Sequence, residues 1–160
     1  MDSAGETTAQ IVAFLREIGL RTEPRTIAEP TVLPGIAVVD GTIAYDEAKL
    51  VYPGDLLHEA GHLAVMTPAH RATASHQLDA TAGAEIAALA WSYAASVRLG
   101  LDPAIVFHDA GYRGAAESLR TAFASGATLG QPVLRWLGLT DDGYPGMLRW
   151  LNESDREPAG

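Results

Sequence analysis

The sequence predicts an α+β fold in one domain over residues 1–160, mostly helical with a small antiparallel sheet. Three observations predict it: an amphipathic segment near the N-terminus, an Asp-Gly hairpin signal between two strand-like runs, and a long Ala-rich helical segment. The chain has 160 residues, of which 48% are hydrophobic and 19% charged. That length and balance are typical of a globular domain that closes its own hydrophobic core.

The first helix and the sheet occupy the N-terminal part of the chain. In residues 7–18, apolar side chains recur at spacings of three and four, which predicts an amphipathic helix, and a glycine follows directly. A loop with several prolines comes next. Residues 35–39 and 42–45 are strand-like and are joined by Asp40-Gly41, a pair that predicts a tight β-hairpin.

The next predicted helix covers residues 56–65. A Pro-Gly pair interrupts the strand region just before it, and Asp55 is well placed to cap its N-terminus. A Thr-Pro pair then ends this helix, and we expect a polar loop containing His70 and His76 to follow.

Helices also dominate the predicted C-terminal half. Residues 81–98 form a long Ala-rich segment that ends at Gly100, which is a typical helix stop. An Asp-Pro pair at residues 102–103 predicts the start of another helix, because proline is favoured at the first helical position. Residues 114–124 and 131–137 are predicted to be helical as well.

Composition excludes several classes of function. The chain has no cysteine, which excludes disulfides, a thiol nucleophile and thiolate metal sites. Its net charge of −9 argues against a nucleic-acid partner, since phosphates bind basic patches. The chain starts with acidic residues, and its longest apolar run, residues 80–97, carries Glu85. We therefore expect a cytoplasmic protein without a targeting or membrane segment.

The motif His58-Glu59-Ala60-Gly61-His62 lies within the predicted helix over residues 56–65. Residues four apart in a helix share one face, so both imidazoles can reach one divalent ion. The glutamate between them can hold a water molecule bound to that ion and act as its general base. The alternative is a pair of core or surface histidines beside a solvated glutamate. Three titratable groups on one short apolar helix are costly without a partner, which favours the metal site.

A catalytic zinc site needs a third protein ligand. Glu85 is the candidate, because it is the only formally charged residue in an otherwise apolar helical segment, and a buried carboxylate needs a cation or several donors. Its alternative role is a first-turn carboxylate that faces water and is favoured by the helix dipole. Asp79 is the other candidate ligand, and it is equally suited to cap the helix or to orient a ligand histidine.

His108 and Tyr112 are candidates for stabilising a developing oxyanion. They lie four residues apart, so in a helix both face one way. Asp109 is placed to orient a neighbouring imidazole. The alternative is a polar turn on the surface at the end of a helix.

Residues 55–93 resemble the zincin metallopeptidases, and more narrowly a minimal gluzincin. The residues from His58 to His62 match the core motif of that superfamily, and Glu85 matches by residue type, distance and helical context. The resemblance implies a zincin-like fold, in which a small sheet precedes the motif helix and its edge strand binds an extended peptide. Residues 35–45 occupy the place of that sheet.

Together these features predict a zinc-dependent metallohydrolase, specifically a peptidase that acts on a peptide or amide substrate. One Zn²⁺ per chain is expected, held by His58, His62 and Glu85, with Glu59 as the general base. The alternative is a non-catalytic regulatory or interaction module that keeps the metal site for folding. A fourth protein ligand would close the site and favour that alternative, whereas an open position favours the enzyme.

Overall fold

A computed structural model of the protein describes residues 3–75, 81–110, 115–126 and 129–158. The α-helices in this part of the chain are α1 (Ser3–Glu17), α2 (Asp55–Val65), α3 (Pro68–Thr73), α4 (Ala82–Leu99), α5 (Ala116–Ala124) and α6 (Gln131–Trp136). The strands are β1 (Arg21–Pro24), β2 (Ile36–Val39) and β3 (Thr42–Tyr45), and a single 3₁₀ turn covers Pro103–Ile105. The predicted α+β class with a helical majority is therefore confirmed for the described residues.

The sheet is mixed and has the order β1-β3-β2 within the described residues. β2 and β3 form the predicted antiparallel hairpin, and Asp40 adopts the positive φ of 47° that its tight turn requires. β1 pairs with β3 in parallel, which corrects the expectation of a purely antiparallel sheet. The four residues of β1 are mostly exposed and lack an alternating apolar pattern, so only their backbone pairing identifies them as a strand.

Two further expectations were wrong at the ends of α2. Gly54, not Asp55, occupies the N-cap position, and Asp55 is a buried residue of the first turn. A Cβ at Gly54 would lie 2.0 Å from the carbonyl oxygen of Ile105, so the backbone here approaches too closely for a capping side chain. In place of the first part of the expected loop, residues 68–73 form α3, and Thr67 caps this helix by accepting a hydrogen bond from the His70 amide.

The bounds of α4 and its stop at Gly100 agree with the sequence prediction, but Thr81 caps the helix and Asp79, the suggested cap, does not. Thr81 caps its N-terminus by accepting a hydrogen bond from the Ala84 amide, and Gly100 ends it in a left-handed conformation with φ of 69°. The predicted helix after Asp102 is only the 3₁₀ turn. No helix in the described ranges combines the length and the apolarity that are needed to cross a membrane.

The core lies between α2, α4, the inner face of the sheet and α1. Its largest fully buried side chains include Ile11, Leu15, Ile43, Leu56, Leu57, Leu63, Trp91 and Phe107. α2 and α4 approach closely at Gly61, where a Cβ would lie 2.8 Å from the Ala88 carbonyl oxygen. Glycine at this position therefore permits the two helices to pack in backbone contact.

Arg71 connects three parts of the fold. Its guanidinium donates hydrogen bonds to the carbonyl oxygens of Leu63 and Met66, at 2.8 and 2.9 Å, at the C-terminal end of α2. It also donates to the carbonyl oxygen of Asn152, at 2.8 Å, in the C-terminal segment. Its own carbonyl oxygen lies 2.4 Å from where a Cβ of Gly41 would be, so the hairpin turn packs directly on α3.

Candidate metal centre

Helix α2 carries four titratable side chains toward one side. Asp55, His58, Glu59 and His62 are spaced at i, i+3, i+4 and i+7, which places them along one stripe of a helix. The imidazole rings of His58 and His62 lie 4.9 Å apart between centroids and are inclined at 77°. Both histidine side chains are largely buried, and His62 is the more deeply buried of the two.

Glu85 reaches this pair from the first turn of α4. One carboxylate oxygen, Oε2, lies 2.9 Å from Nε2 of His62, and the other, Oε1, lies 4.0 Å from Nε2 of His58. The carboxylate therefore faces both imidazoles, although its side chain keeps about two-fifths of its surface accessible. Because α4 packs on α2 at Gly61, the contact between the helices sets the position of this carboxylate relative to the histidines.

A second carboxylate, Glu59, adjoins the same two histidines. One ligand atom each from His58, Glu59 and His62 lies within 4.8 Å of the others. The distances alone therefore allow either Glu59 or Glu85 as the third ligand. We favour Glu85, because successive residues of a helix point about 100° apart, so Glu59 is less well directed than Glu85 toward an ion bound by His58. Glu85 instead comes from a different helix and faces both rings.

The protonation of the site follows from its burial and its charges. Burial raises the pKa of Glu59 to about 7, against the opposing attraction of His62. Burial and the neighbouring His62 together lower the pKa of His58 to about 4, so this imidazole is neutral at pH 7. A hydrogen bond from His62 lowers the pKa of Glu85, so its carboxylate is ionised. A neutral imidazole and an ionised carboxylate are the forms that bind a metal.

These residues fit a divalent cation such as zinc. Two imidazole nitrogens and one carboxylate form a donor set that is known for catalytic zinc, and none of the ligands needs to be a thiolate. The other described histidines have partners elsewhere: His70 lies 3.7 Å from Glu157, and His108 contacts Asp55. Within the part of the chain that the structure describes, neither of them belongs to the group of ligand atoms that His58, Glu59 and His62 form, although His108 is close enough to contribute to the lowered pKa of His58.

His108 binds the first turn of α2 and is not among the described residues that line the cleft. Its Nε2 lies 2.7 Å from Oδ1 of Asp55, and its ring stacks on Tyr52 at 3.9 Å with an angle of 11°. The carboxylate and the imidazole are both mostly buried. His108 therefore lies beside the motif helix, and its Nε2 is engaged by the carboxylate of Asp55. Its predicted partner Tyr112 lies outside the described residues.

Asp55 is the residue near the site that sequence reasoning missed, since it was expected only as a helix cap. It is almost completely buried, and burial raises its pKa against the opposing effect of His108. Its charge also raises the pKa of Glu59. The sequence pattern that could have identified Asp55 is the i, i+3, i+4, i+7 spacing of four titratable residues, of which Asp55 is the first.

The candidate metal centre opens into a cleft of about 590 Å³. The cleft is lined by His58, Glu59, His62 and Glu85 from α2 and α4, and by the edge strand β2 with the segment before it. That segment, residues 25–33, contributes mostly apolar and uncharged side chains. The centre is therefore accessible to a small or extended ligand, which a purely structural site does not require.

The alternative third ligand, Asp79, and the loop residue His76 are not part of this geometry. Asp79 and His76 fall in residues 76–80, outside the described part of the chain. The centre is thus defined by the four side chains of α2 and α4 that line the cleft. Comparisons with models of protein families, with curated proteins and with solved structures found no match for this chain.

Proposed function

We propose that this protein is a zinc-dependent metallohydrolase with a zincin-like fold, which hydrolyses a peptide or amide bond. The observation that carries the proposal is the meeting of Glu85 on α4 with His58 and His62 on α2, beside Glu59 and at the side of an open cleft. Three ligands and a separate carboxylate form the set that metal-assisted hydrolysis needs. The hairpin ahead of α2 also agrees with the expected order of elements.

His58, His62 and Glu85 would hold the ion. When bound, zinc supplies a Lewis acid and a positive charge that lowers the pKa of water and favours the ionised form of nearby carboxylates. Glu59 accepts the proton of the attacking water as a C–O bond forms at the carbonyl carbon of the substrate. The same carboxyl group then gives this proton to the leaving nitrogen as the C–N bond breaks, which balances the hydrolysis.

The environment of Glu59 suits this exchange. Burial raises the pKa of Glu59 to about 7, and the charge of a bound zinc ion would oppose this shift and favour the carboxylate, which is the form that accepts a proton. Glu59 and Glu85 thus have different surroundings: the carboxylate of Glu85 is fixed by His62, whereas that of Glu59 is shifted mainly by desolvation. Different environments for two neighbouring carboxylates support separate roles for them.

β2 supports a peptide as the substrate. It lies at one edge of the described sheet and borders the cleft through Ala37 and Val39. An edge strand presents unpaired backbone groups, and an extended peptide can add to them as a further strand. Such a peptide would run along β2 with its backbone facing the metal centre.

The test is Glu59→Gln, which keeps the shape of the side chain and removes the base. We expect zinc content to stay at that of the wild type, because Glu59 is not a ligand. Cleavage of a peptide library should fall by about 10² to 10⁴, the usual contribution of general acid–base catalysis. Zinc is measured by elemental analysis of the purified protein, and cleavage is measured by mass spectrometry.

His62→Ala is the matched variant, and it should lose both zinc and cleavage. Equal residual cleavage by wild type, Glu59→Gln and His62→Ala would identify a contaminating protease. Zinc-loaded wild-type protein that cleaves no peptide in the library would reject the hydrolase and favour the non-catalytic module that the sequence left open.

A further inference from the structure

One wall of the cleft is a short irregular segment, residues 28–32, which we call the cleft arch. It is anchored on its N-terminal side, where the amide of Ile27 donates a hydrogen bond of 2.9 Å to Oδ2 of Asp46 and the Lys49 ammonium donates to the Ile27 carbonyl oxygen. It is anchored on its other side by a hydrogen bond of 3.2 Å from the amide of Ile36 to the carbonyl oxygen of Leu33. The ends of the arch are therefore fixed to the sheet and to the turn after it.

The cleft arch exposes apolar side chains at alternate positions. Ala28, Pro30 and Val32 are all exposed, and all three line the cleft together with the metal centre. Val32 has 71% of its surface accessible, more than any other large apolar residue in the described part of the chain. Exposed apolar surface in a concave site favours an apolar partner, because covering it removes both surfaces from water.

The charged side chains on this wall give a charged ligand no strong binding partner. Arg25 lines the cleft, but its guanidinium lies 2.8 Å from the carboxylate of Glu23. Glu29 is an exposed residue of the arch itself, and its charge is opposite to that of Arg25. Two exposed charges of opposite sign give the wall little net preference for ligand charge, which leaves its apolar surface as the main determinant.

From these observations we infer that the cleft arch forms a subsite for an apolar side chain of the substrate, with Val32 as a specificity-determining residue. The inference rests on the proposed function, since it names the class of substrate that the same centre takes. A cleft of about 590 Å³ holds a short stretch of extended chain and excludes a folded domain. The substrate is accordingly a short or unfolded peptide with an apolar residue beside the scissile bond.

The test measures binding separately from cleavage. Leucine hydroxamate and glycine hydroxamate share one metal-binding group and differ in an isobutyl side chain. Calorimetric titration of the zinc-loaded protein should show leucine hydroxamate binding about tenfold or more tightly, as burial of several methyl and methylene groups implies. Val32→Ala should reduce this preference by about three- to tenfold. Val32→Thr, which keeps the shape and replaces one methyl group by a hydroxyl, should reduce this preference as well.

Val51 provides a matched control. It is the same residue type and is 57% exposed, yet it lies outside the set of described residues that line the cleft. Val51→Ala should therefore leave both affinities unchanged. Equal binding of the two hydroxamates by the wild type, or an unchanged preference in both Val32 variants, would overturn the inference.

A parallel assay compares peptides that differ only in a leucine or a glycine beside the candidate scissile bond. Preferential cleavage of the leucine peptide, weakened in Val32→Ala, supports both the subsite and the hydrolase. A preference for leucine hydroxamate without cleavage of either peptide supports the subsite and counts against the hydrolase. Cleavage of both peptides at equal rates overturns the subsite and leaves the hydrolase intact.

Discussion

The bond between His62 and Glu85 joins α2 to α4, at positions that are 23 residues apart in the chain. His62 is nearly inaccessible, whereas Glu85 is partly exposed at the start of α4. A carboxylate in the first turn of a helix is common and is favoured by the helix dipole. What distinguishes Glu85 is its direction, because it turns inward toward two imidazoles and not outward into solvent.

Glu85→Gln tests its role as a ligand. The amide keeps the shape and removes the negative charge, so we expect zinc affinity to fall by more than about 100-fold, the upper range for loss of a residue that only supports a ligand. Competition with a chromophoric chelator measures this affinity. Glu117→Gln is the control, since Glu117 is an exposed first-turn carboxylate of α5. Unchanged affinity in Glu85→Gln would assign the third ligand to another carboxylate, with Glu59 the first to test.

The sequence is sufficient to predict which residues of α2 lie together, and its lone charge singles out Glu85 of α4 as their partner, but it does not predict the other contacts of α2. His58 and His62 come close because residues four apart share a face, which is a local property of any helix. The pairing of Asp55 with His108 joins positions 53 residues apart in the chain. It depends on how the segment after α4 packs beside α2, and no local pattern at either residue specifies that packing.

At the scale of the elements, the site depends on the distance between α2 and α4. Gly61 sets this distance, because its missing Cβ leaves room for the Ala88 carbonyl oxygen and for the Ser92 hydroxyl, which would lie 2.8 and 3.1 Å from such an atom. The glycine lies between the two metal-ligand candidates of α2. A larger side chain there would push α4 outward together with Glu85.

Gly61→Val is therefore expected to lower both the stability of the protein and its affinity for zinc. Overpacking should lower the free energy of unfolding by about 1–3 kcal/mol, and zinc affinity should fall because Glu85 moves away from His58 and His62. Gly61→Ala should show the same two effects in smaller measure. Urea unfolding and chelator competition measure them. Ala9→Val on the exposed face of α1 controls for the cost of a β-branched residue in a helix. If Gly61→Val, Gly61→Ala and Ala9→Val all have the same zinc affinity, the expectation is contradicted.

Elements with strong local signals were predicted well, and those held by long-range bonds were not. The hairpin turn at Asp40-Gly41 and the ends of α4 at Thr81 and Gly100 follow from turn and capping chemistry. β1 escapes prediction because its pairing with β3 is a property of the backbone and not of its side chains. α3 was missed because its Thr-Pro start signal was interpreted only as the end of α2.

At the scale of the whole molecule, Asp46 ties the sheet to the cleft wall. Its side chain is buried and accepts hydrogen bonds from the amides of Ile27 and Ala48, at 2.9 and 3.1 Å. The bond from Ile27 is the main cause of its lowered pKa, and the charge of Lys49 adds to it. The ionised carboxylate thus stabilises the folded chain more than the unfolded one.

This shift predicts how stability depends on pH. A lowered pKa in the folded state means that the contribution of Asp46 is complete above the unfolded value of about 3.9 and is lost as the pH falls through the folded pKa. Asp46→Asn should therefore destabilise the protein at pH 6, and the difference from the wild type should shrink below about pH 4. Urea midpoints at several pH values measure this difference. Glu47→Gln, an exposed neighbour, controls for the change in net charge, and a difference that stays constant down to pH 3 would refute the role given to Asp46.

The bonds of Arg71 have a consequence for the rate at which ligands bind. Its side chain holds the end of α2, and its backbone supports the hairpin turn that carries β2, so the two walls of the cleft are tied to one residue. Walls that are fixed to each other cannot close over a ligand as separate bodies. Association then needs no preceding opening or following closure, and its observed rate should rise in direct proportion to ligand concentration, in a single phase.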